Sequence, residues 1–275
     1  MLPNCRAYHR PATAVEAAAL IAEGNAPLGG GTMLALSSHP GIAGLVDLSG
    51  VVAPALEDKG GEFSFSATAT MTQVANFFTG RPFATALLGR AAGNYLTRPV
   101  RNRATVGGVL AGAHGWAEVA AALVVLGAKI QVVRKAGEET LLYQKALQPS
   151  IEKNLARGFI LRLVLPKENL AGGSSRVAKT ETDIPIVSAY AALKIDGGVV
   201  REARIAITGA NGGPHRAQDS ESALVGKKCA ECALDDAAEK SIAGLEPASD
   251  ARASGGYRRR VIPVVVRRAL EEALA

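Results

Sequence analysis

The chain has 275 residues, 48% hydrophobic and 20% charged, enough apolar mass for one large core or two ordinary ones, which excludes wholesale disorder. Net charge is +6, from 31 basic and 25 acidic side chains, and aromatics make up only 4%. An excess this mild, with no interleaved aromatics and no recognisable module, argues against a nucleic-acid partner.

At the N-terminus, "PATAVEAAALIAEG" reads as a helix. Thr13 and Glu16 have capping-box spacing, and Gly24 supplies the left-handed residue that ends it. Glu16 also breaks the apolar stretch that a signal peptide needs, and no run reaches the ~18 apolar residues of a membrane span. A reducing, cytoplasmic setting is therefore expected. "LVDL" reads as a short strand and "FSFSATATM" as hairpin-like. Thr70 and Gln73 repeat the capping-box spacing ahead of a helix through Phe77, closed by Gly80, and "FATALLGRAAGNYL" continues helical. A helix from about Ala117 to Leu126 stops at Gly127 and leads into a strand through Val133. "FILRLVLP" is a further strand, ended by Pro166. "NLAGGSSR" has linker composition, and the domain boundary is placed there. Beyond it, two β-rich runs are joined by Asp196-Gly197-Gly198, a hairpin signal. Helical segments follow, the last of which Pro263 either kinks or begins. Strands before helices point to an α+β layer rather than a doubly wound sheet.

The cysteines, Cys5, Cys229 and Cys232, form neither a disulfide framework nor a metal-ligand set; the C-x-x-C reads as cysteines at a surface or helix start. Arg252, Arg258, Arg259, Arg260, Arg267 and Arg268 crowd the final helix and read as a solvated face or subunit contact. No paired carboxylates, Ser-His-Asp set or metal cluster points to independent catalysis, so no catalytic or metal-binding residue is assigned.

Two glycine-rich segments carry the chemistry. In "PLGGGTML", Gly29, Gly30 and Gly31 leave successive amides unshielded, able to form an anion-binding nest or a tight turn, with Thr32 adding a hydroxyl. In "TVGGVLAGAHGWAE", Thr105 offers a hydroxyl. Gly107 and Gly108 leave room for a ligand, whose diphosphate would rest on their amides, or for another chain segment. Together the segments make a split pyrophosphate cradle that does not itself say which dinucleotide it takes. Trp116 either stacks on an aromatic ring of the bound dinucleotide or plugs a helix start. His114 is either a proton donor or an exposed loop residue.

"GGGTML" resembles the A-G-G-T-D-L segment of the flavoprotein subunits of molybdenum hydroxylases, the carbon monoxide dehydrogenase medium-chain and xanthine dehydrogenase FAD-domain family. "RNRATVGGVLAGAHGWAEVAAALVVLGAKIQV" is similar to that family's R-N-x-A-T-I-G-G-N-L-A-N-A region and following helix. "TETDIPIVSAYAALKIDGGVVREARIAITGANGGPHRAQDSESALVG" and "YRRRVIPVVVRRALEEAL" resemble its later segments, in order over nearly the whole chain.

The resemblance implies an α+β protein: a p-cresol methylhydroxylase-type FAD-binding domain over residues 1–170, with subdomains of about 1–55 and 56–170, then a smaller α+β C-terminal domain over 171–275. By matching positions, Gly29, Gly30, Gly31, Thr32 and Met33 with Thr105, Gly107, Gly108 and Val109 would wrap the FAD diphosphate. Glu118 stands where the family usually has aspartate, and Asp183 and Ile184 stand where a separate aspartate of the family and its following residue approach the flavin. Met33 replaces the aspartate of the first segment, Val109 replaces a polar residue after the glycine pair, and His114-Gly115-Trp116 replaces a small polar run. The implied function is electron transfer from iron–sulfur clusters through FAD to NAD, oxygen or a quinone-like acceptor. The implied partners are a molybdopterin-binding large subunit and a 2Fe-2S small subunit, in a dimer of heterotrimers. A flavin-free docking subunit and a stand-alone FAD oxidoreductase are the alternatives.

Overall fold

The computed structural model describes residues 2–35, 38–112, 114–148, 150–210 and 212–275, so Ala113 of the second glycine-rich segment lies outside the described residues. In chain order the elements begin β1 (Ala7–His9), α1 (Ala14–Ala22), β2 (Ala26–Leu28), β3 (Gly44–Asp47), β4 (Leu56–Asp58), β5 (Glu62–Ser66), α2 (Met71–Phe78), α3 (Ala86–Gly93), α4 (Arg98–Arg101), α5 (Val106–Ala111) and α6 (Glu118–Val125). They continue β6 (Lys129–Arg134), β7 (Gly137–Leu142), α7 (Tyr143–Ala146), α8 (Ile151–Asn154), β8 (Gly158–Pro166), β9 (Ala171–Val177), β10 (Val187–Asp196), β11 (Val199–Thr208), β12 (His215–Arg216), α9 (Gln218–Leu224), α10 (Leu234–Lys240) and α11 (Gly255–Leu274).

Two units share these elements. The first takes Met1–Val74, Thr97–Ala113 and Gly127–Lys167; the second takes Ala75–Leu96, His114–Leu126 and Glu168–Ala275. In the first, a three-stranded parallel sheet of order β1-β3-β2 accompanies a five-stranded antiparallel sheet of order β4-β5-β8-β6-β7. Helix α1 starts on Thr13, whose hydroxyl accepts the Glu16 amide at 3.2 Å. Its face of Ala17, Ala18 and Ile21 is buried with Val46, Val133 and Phe159 in one apolar cluster. Thr70 and Gln73 form the full reciprocal box: the Gln73 amide donates to the Thr70 hydroxyl (3.2 Å) and the Thr70 amide to Gln73 Oε1 (2.9 Å).

In the second unit, β9 to β12 form an antiparallel sheet of order β12-β11-β10-β9. Gly197 and Gly198 turn the β10–β11 hairpin at φ of 57° and 72°, as a two-residue turn with both centres left-handed requires. Helix α11 buries Ile262, Val265, Val266, Ala269, Leu270 and Ala273, a stripe at helical spacing, and packs on β9 and β10. Pro263 falls inside this helix, which runs unbroken from Gly255 to Leu274. Every residue of α6 is buried, and Glu118 is its one polar side chain.

Three expectations need correction. "AGGSSR" is not a linker but most of β9, paired with β10 through Leu193↔Ala171 to Val187↔Val177. Its glycines serve packing: a Cβ at Gly172 would lie 2.7 Å from Ala84 Cα, and one at Gly173 would collide with the α11 backbone at Ala269. Arg258 does not belong to the solvated arginine face, since it is 4% exposed, whereas Arg259, Arg260, Arg267 and Arg268 are exposed. His114 is half-buried and stacked rather than an exposed loop residue.

Candidate functional site

In the first unit the two glycine-rich segments meet. β2 ends at Leu28, and Gly29 passes so close to the second segment that a Cβ there would lie 2.6 Å from Thr105 Oγ1. A Cβ at Gly30 would collide with the Arg103 carbonyl oxygen, and Gly31 takes a φ of 71°. Glycine is thus required by close approach at two positions and by backbone geometry at the third. Among the described residues the amides of Gly29, Gly30 and Gly31 donate to no protein acceptor. Thr32 and Met33 continue the turn, half-buried, and the Ala35 amide returns to the Gly31 carbonyl at 3.2 Å.

The second segment behaves differently, which corrects the expectation that its amides lie open for phosphate. Thr105 is the N-cap of α5 and accepts the Gly108 amide at 3.2 Å. The Gly107 amide donates to the Ala67 carbonyl at 2.8 Å, and a Cβ on Gly107 would lie 2.7 Å from the Ala67 Cβ. The Val109 amide continues the helix to the Thr105 carbonyl, and its side chain is buried. The bare surface at Gly107 therefore admits another chain segment, and the free donors come from Gly29 to Gly31.

Two cavities flank the Gly29–Thr105 contact. One, of about 400 Å³, is lined by Gly29, Thr105, Gly107 and Gly108 together with Asn25, Leu48, Arg157 and Phe159. The other, of about 390 Å³, is lined by Gly29, Gly30, Gly31 and Thr105 with Tyr8, Asp47, Asn102 and Arg103. Burial opposes ionisation of Asp47, but the Tyr8 hydroxyl (2.6 Å) and the Ser49 amide (2.9 Å) outweigh it and hold the carboxyl below its ordinary value. Sequence reasoning missed Arg157. It takes a φ of 56°, a strained conformation for a side-chain-bearing residue, which no residue pattern announces. Arg103 and Asn102 stood in the resembling stretch and were passed over.

The other expected residues, Glu118, Asp183 and Ile184, lie in the second unit and are brought together there, lining one small cavity with Tyr95, Trp116 and Pro185. Glu118 is 5% exposed; its Oε1 accepts the Tyr190 hydroxyl at 3.1 Å, and its Oε2 lies 3.3 Å from Arg176 Nε. Burial raises its pKa, and the attraction of Arg176 and the Tyr190 hydrogen bond offset this only in part. Trp116 stacks on Tyr95 (centroids 5.6 Å apart, 27°) and on His114 (5.4 Å, 7°). Burial lowers the His114 pKa, and desolvation pushes Tyr95 up to about 12.

A cradle of unshielded amides suits an anionic dinucleotide, and comparison with known proteins says which. Residues 4–168 match the FAD-binding domain of molybdopterin dehydrogenases, three-fifths of the chain. The chain belongs to that family. Residues 175–273 match the C-terminal domain of carbon monoxide dehydrogenase flavoproteins, so the α+β fold is the one expected, an FAD-binding domain followed by its C-terminal companion. The carbon monoxide dehydrogenase medium chain of Afipia carboxidovorans is 26% identical, aligned over 100% of this chain and 99% of its own. The glyceraldehyde dehydrogenase medium chain of Sulfolobus acidocaldarius is 25% identical over 63% of this chain, which spans 62% of that relative's length. Among solved structures, quinoline 2-oxidoreductase from Pseudomonas putida 86 superposes with a TM-score of 0.86 at 26% identity, covering 100% of this chain and 98% of that one. Carbon monoxide dehydrogenase from Hydrogenophaga pseudoflava gives 0.88 at 23%, covering 99% and 98%, a likeness of fold. FAD is the cofactor of the family's domain, and the free amides at Gly29 to Gly31 fit its diphosphate.

Proposed function

We propose that this chain is the FAD-carrying medium subunit of a cytoplasmic molybdenum hydroxylase or dehydrogenase complex. A 2Fe-2S small subunit would pass electrons through FAD to an external acceptor, while hydroxylation proceeds on a molybdopterin-binding large subunit, in a dimer of heterotrimers. The observation that carries this reading is the cradle itself: three amides without protein acceptors among the described residues, opposite Thr105, in a domain of the FAD-binding family. Bound FAD supplies the one- and two-electron chemistry, and the chain binds and orients it. Gly29, Gly30 and Gly31 hold the diphosphate by main-chain amides, with Thr32, Met33, Thr105, Gly107, Gly108 and Val109 shaping the walls. Glu118, Asp183 and Ile184 belong to the flavin-facing group. Among the described residues no helix is long and apolar enough to cross a membrane.

One observation favours a second reading, a flavin-free docking subunit of the same fold: the Gly107 and Gly108 amides are already used within the protein and Val109 is buried, so the glycine pair of the second segment offers no free amide. A single preparation separates the two. The native protein, purified from its own cells, is expected to be yellow, absorbing near ~450 nm as flavins do, and to co-elute with an iron–sulfur chain and a large subunit. A colourless protein that FAD does not reconstitute would sink the flavoprotein reading. A yellow protein eluting alone would point to a stand-alone oxidoreductase.

A further inference from the structure

The three parallel strands of the first unit end at one edge, and polar groups gather on one face of it. Tyr8 pairs with Leu45 and Leu28 pairs with Asp47, so by the alternation of a strand Tyr8, Leu28 and Asp47 share the face opposite Val46. Val46, on the other face, is buried with α1 in the apolar cluster. Directly after Leu28 come Gly29, Gly30 and Gly31, whose amides donate to no protein acceptor among the described residues. Tyr8, Leu28, Asp47 and the three glycines line one cavity, the one of about 390 Å³. Ligands of open parallel sheets bind in this position, outside the carboxyl ends of the strands.

The cavity wall offers donors from one segment and acceptors from another. The Tyr8 hydroxyl spends its single hydrogen on Asp47 Oδ2 at 2.6 Å, and the Ser49 amide donates to Asp47 Oδ1 at 2.9 Å. Both bonds favour the carboxylate, whose pKa lies below its ordinary value, so Asp47 is charged near neutral pH. A carboxylate and a phenol oxygen whose hydrogen is spent present only lone pairs. The glycine amides present only N–H groups. A bare phosphate satisfies the glycines but meets a like charge at Asp47. A sugar or polyol alone satisfies Asp47 and leaves the amides empty. A phosphate joined to a hydroxyl-bearing carbon chain answers both.

We propose that this sheet edge reads a hydroxyl-bearing phosphate: Gly29 to Gly31 take the phosphate on their amides, and Asp47 accepts hydrogen bonds from the hydroxyls of the adjoining ribityl chain or ribose. Tyr8 is the positioning residue that holds the carboxylate at the cavity wall. Asp47 thereby also discriminates, because its charge disfavours phosphate that brings no hydroxyls. That the ligand is FAD rests on the FAD-subunit reading above; the preference for phosphate joined to hydroxyls does not.

The test titrates the full chain, freed of cofactor, with FAD and with inorganic pyrophosphate by calorimetry. Asp47→Asn should weaken FAD about tenfold or more and leave pyrophosphate unchanged or tighter, since a like charge has gone. A loss of both alike, or of neither, overturns the proposal; a merely structural role for Asp47 gives one of these. Two analogues separate the sources, FAD without the ribityl 2′-hydroxyl and FAD without the adenosine 2′- and 3′-hydroxyls. The sugar that Asp47 reads is the one whose missing hydroxyls cost affinity in the parent protein but none in Asp47→Asn. If neither analogue behaves so, Asp47 reads no hydroxyl and the proposal falls. Should Asp47→Asn fail to fold, Tyr8→Phe replaces it, because Tyr8 is 56% exposed and its change disturbs no core. FAD should then bind about threefold more weakly with pyrophosphate unmoved, and an equal response of the two overturns the proposal. A parent protein that binds ADP and pyrophosphate but not FAD overturns the FAD-subunit reading, and ADP against 2′,3′-dideoxy-ADP then judges the sheet edge by the same comparison. A parent protein that binds none of these ligands overturns both.

Discussion

Single positions in the cradle differ sharply in what they tolerate. At Gly30 an added Cβ meets the Arg103 main chain and at Gly107 it meets Ala67, so neither neighbour can swing aside. Gly30→Ala and Gly107→Ala should each cost about 1–3 kcal/mol by urea unfolding, whereas at Gly41, where nothing lies within 4 Å, alanine should stay within about 0.5 kcal/mol. Equal costs at all three would contradict the close approach described for the cradle. The sequence made the glycines visible but not their separate reasons. A glycine run looks the same whether it frees amides, as at Gly29 to Gly31, or admits a neighbouring Ala67. Arg258 was hidden for a related reason: a long cationic side chain is by default solvated, so it read as part of the solvated arginine face, although it is buried and donates to the Ile186 carbonyl.

Among the elements, helices with local start signals were legible. Thr13, Thr70 and the Asp196-Gly197-Gly198 turn act through neighbours two or three residues away, and the structure keeps all of them. Strand β9 was not legible, because its glycines answer to Ala84 and Ala269, far away in the chain. Strand β1, three residues long, carries too few to show a period, and β7 is almost wholly exposed and so does not alternate. Helix α11 offers a paired check. Ser254 accepts the Tyr257 amide at 3.2 Å, so Ser254→Ala should cost about 1 kcal/mol. Pro263 lacks the amide that would reach back to the Arg259 carbonyl, a defect of about 3 kcal/mol in a helix interior. Losing the proline's restriction of the unfolded chain offsets roughly 0.4–1 kcal/mol of that, so Pro263→Ala should raise stability by about 2 kcal/mol in thermal unfolding. A lower melting temperature would show that the helix uses the proline.

For the whole molecule, the buried Glu118 ties stability to pH. Burial raises its pKa in the folded state above the ordinary carboxylate value, so the folded protein holds this proton where the unfolded chain has released it. Stability from this group is therefore present at acid pH and declines as pH rises from the unfolded value, about 4.5, through the raised folded value. Glu118→Gln removes that slope, so its unfolding free energy should gain on the parent protein across the window as pH rises. A difference that is flat with pH, followed by urea unfolding from pH 4 upward, would mean that Glu118 stays ionised beside Arg176.

The interleaving of the two units bears on how such a chain can change over generations. Exchange of gene segments between relatives at a single point near residue 170 would join β9 to a foreign Ala75–Leu96 stretch. Gly172 and Gly173 leave no slack for a bulkier partner at either face of that strand. An exchange that preserved the second unit would need several simultaneous breakpoints. Drift around Ala84 is therefore answerable to a strand some ninety residues downstream.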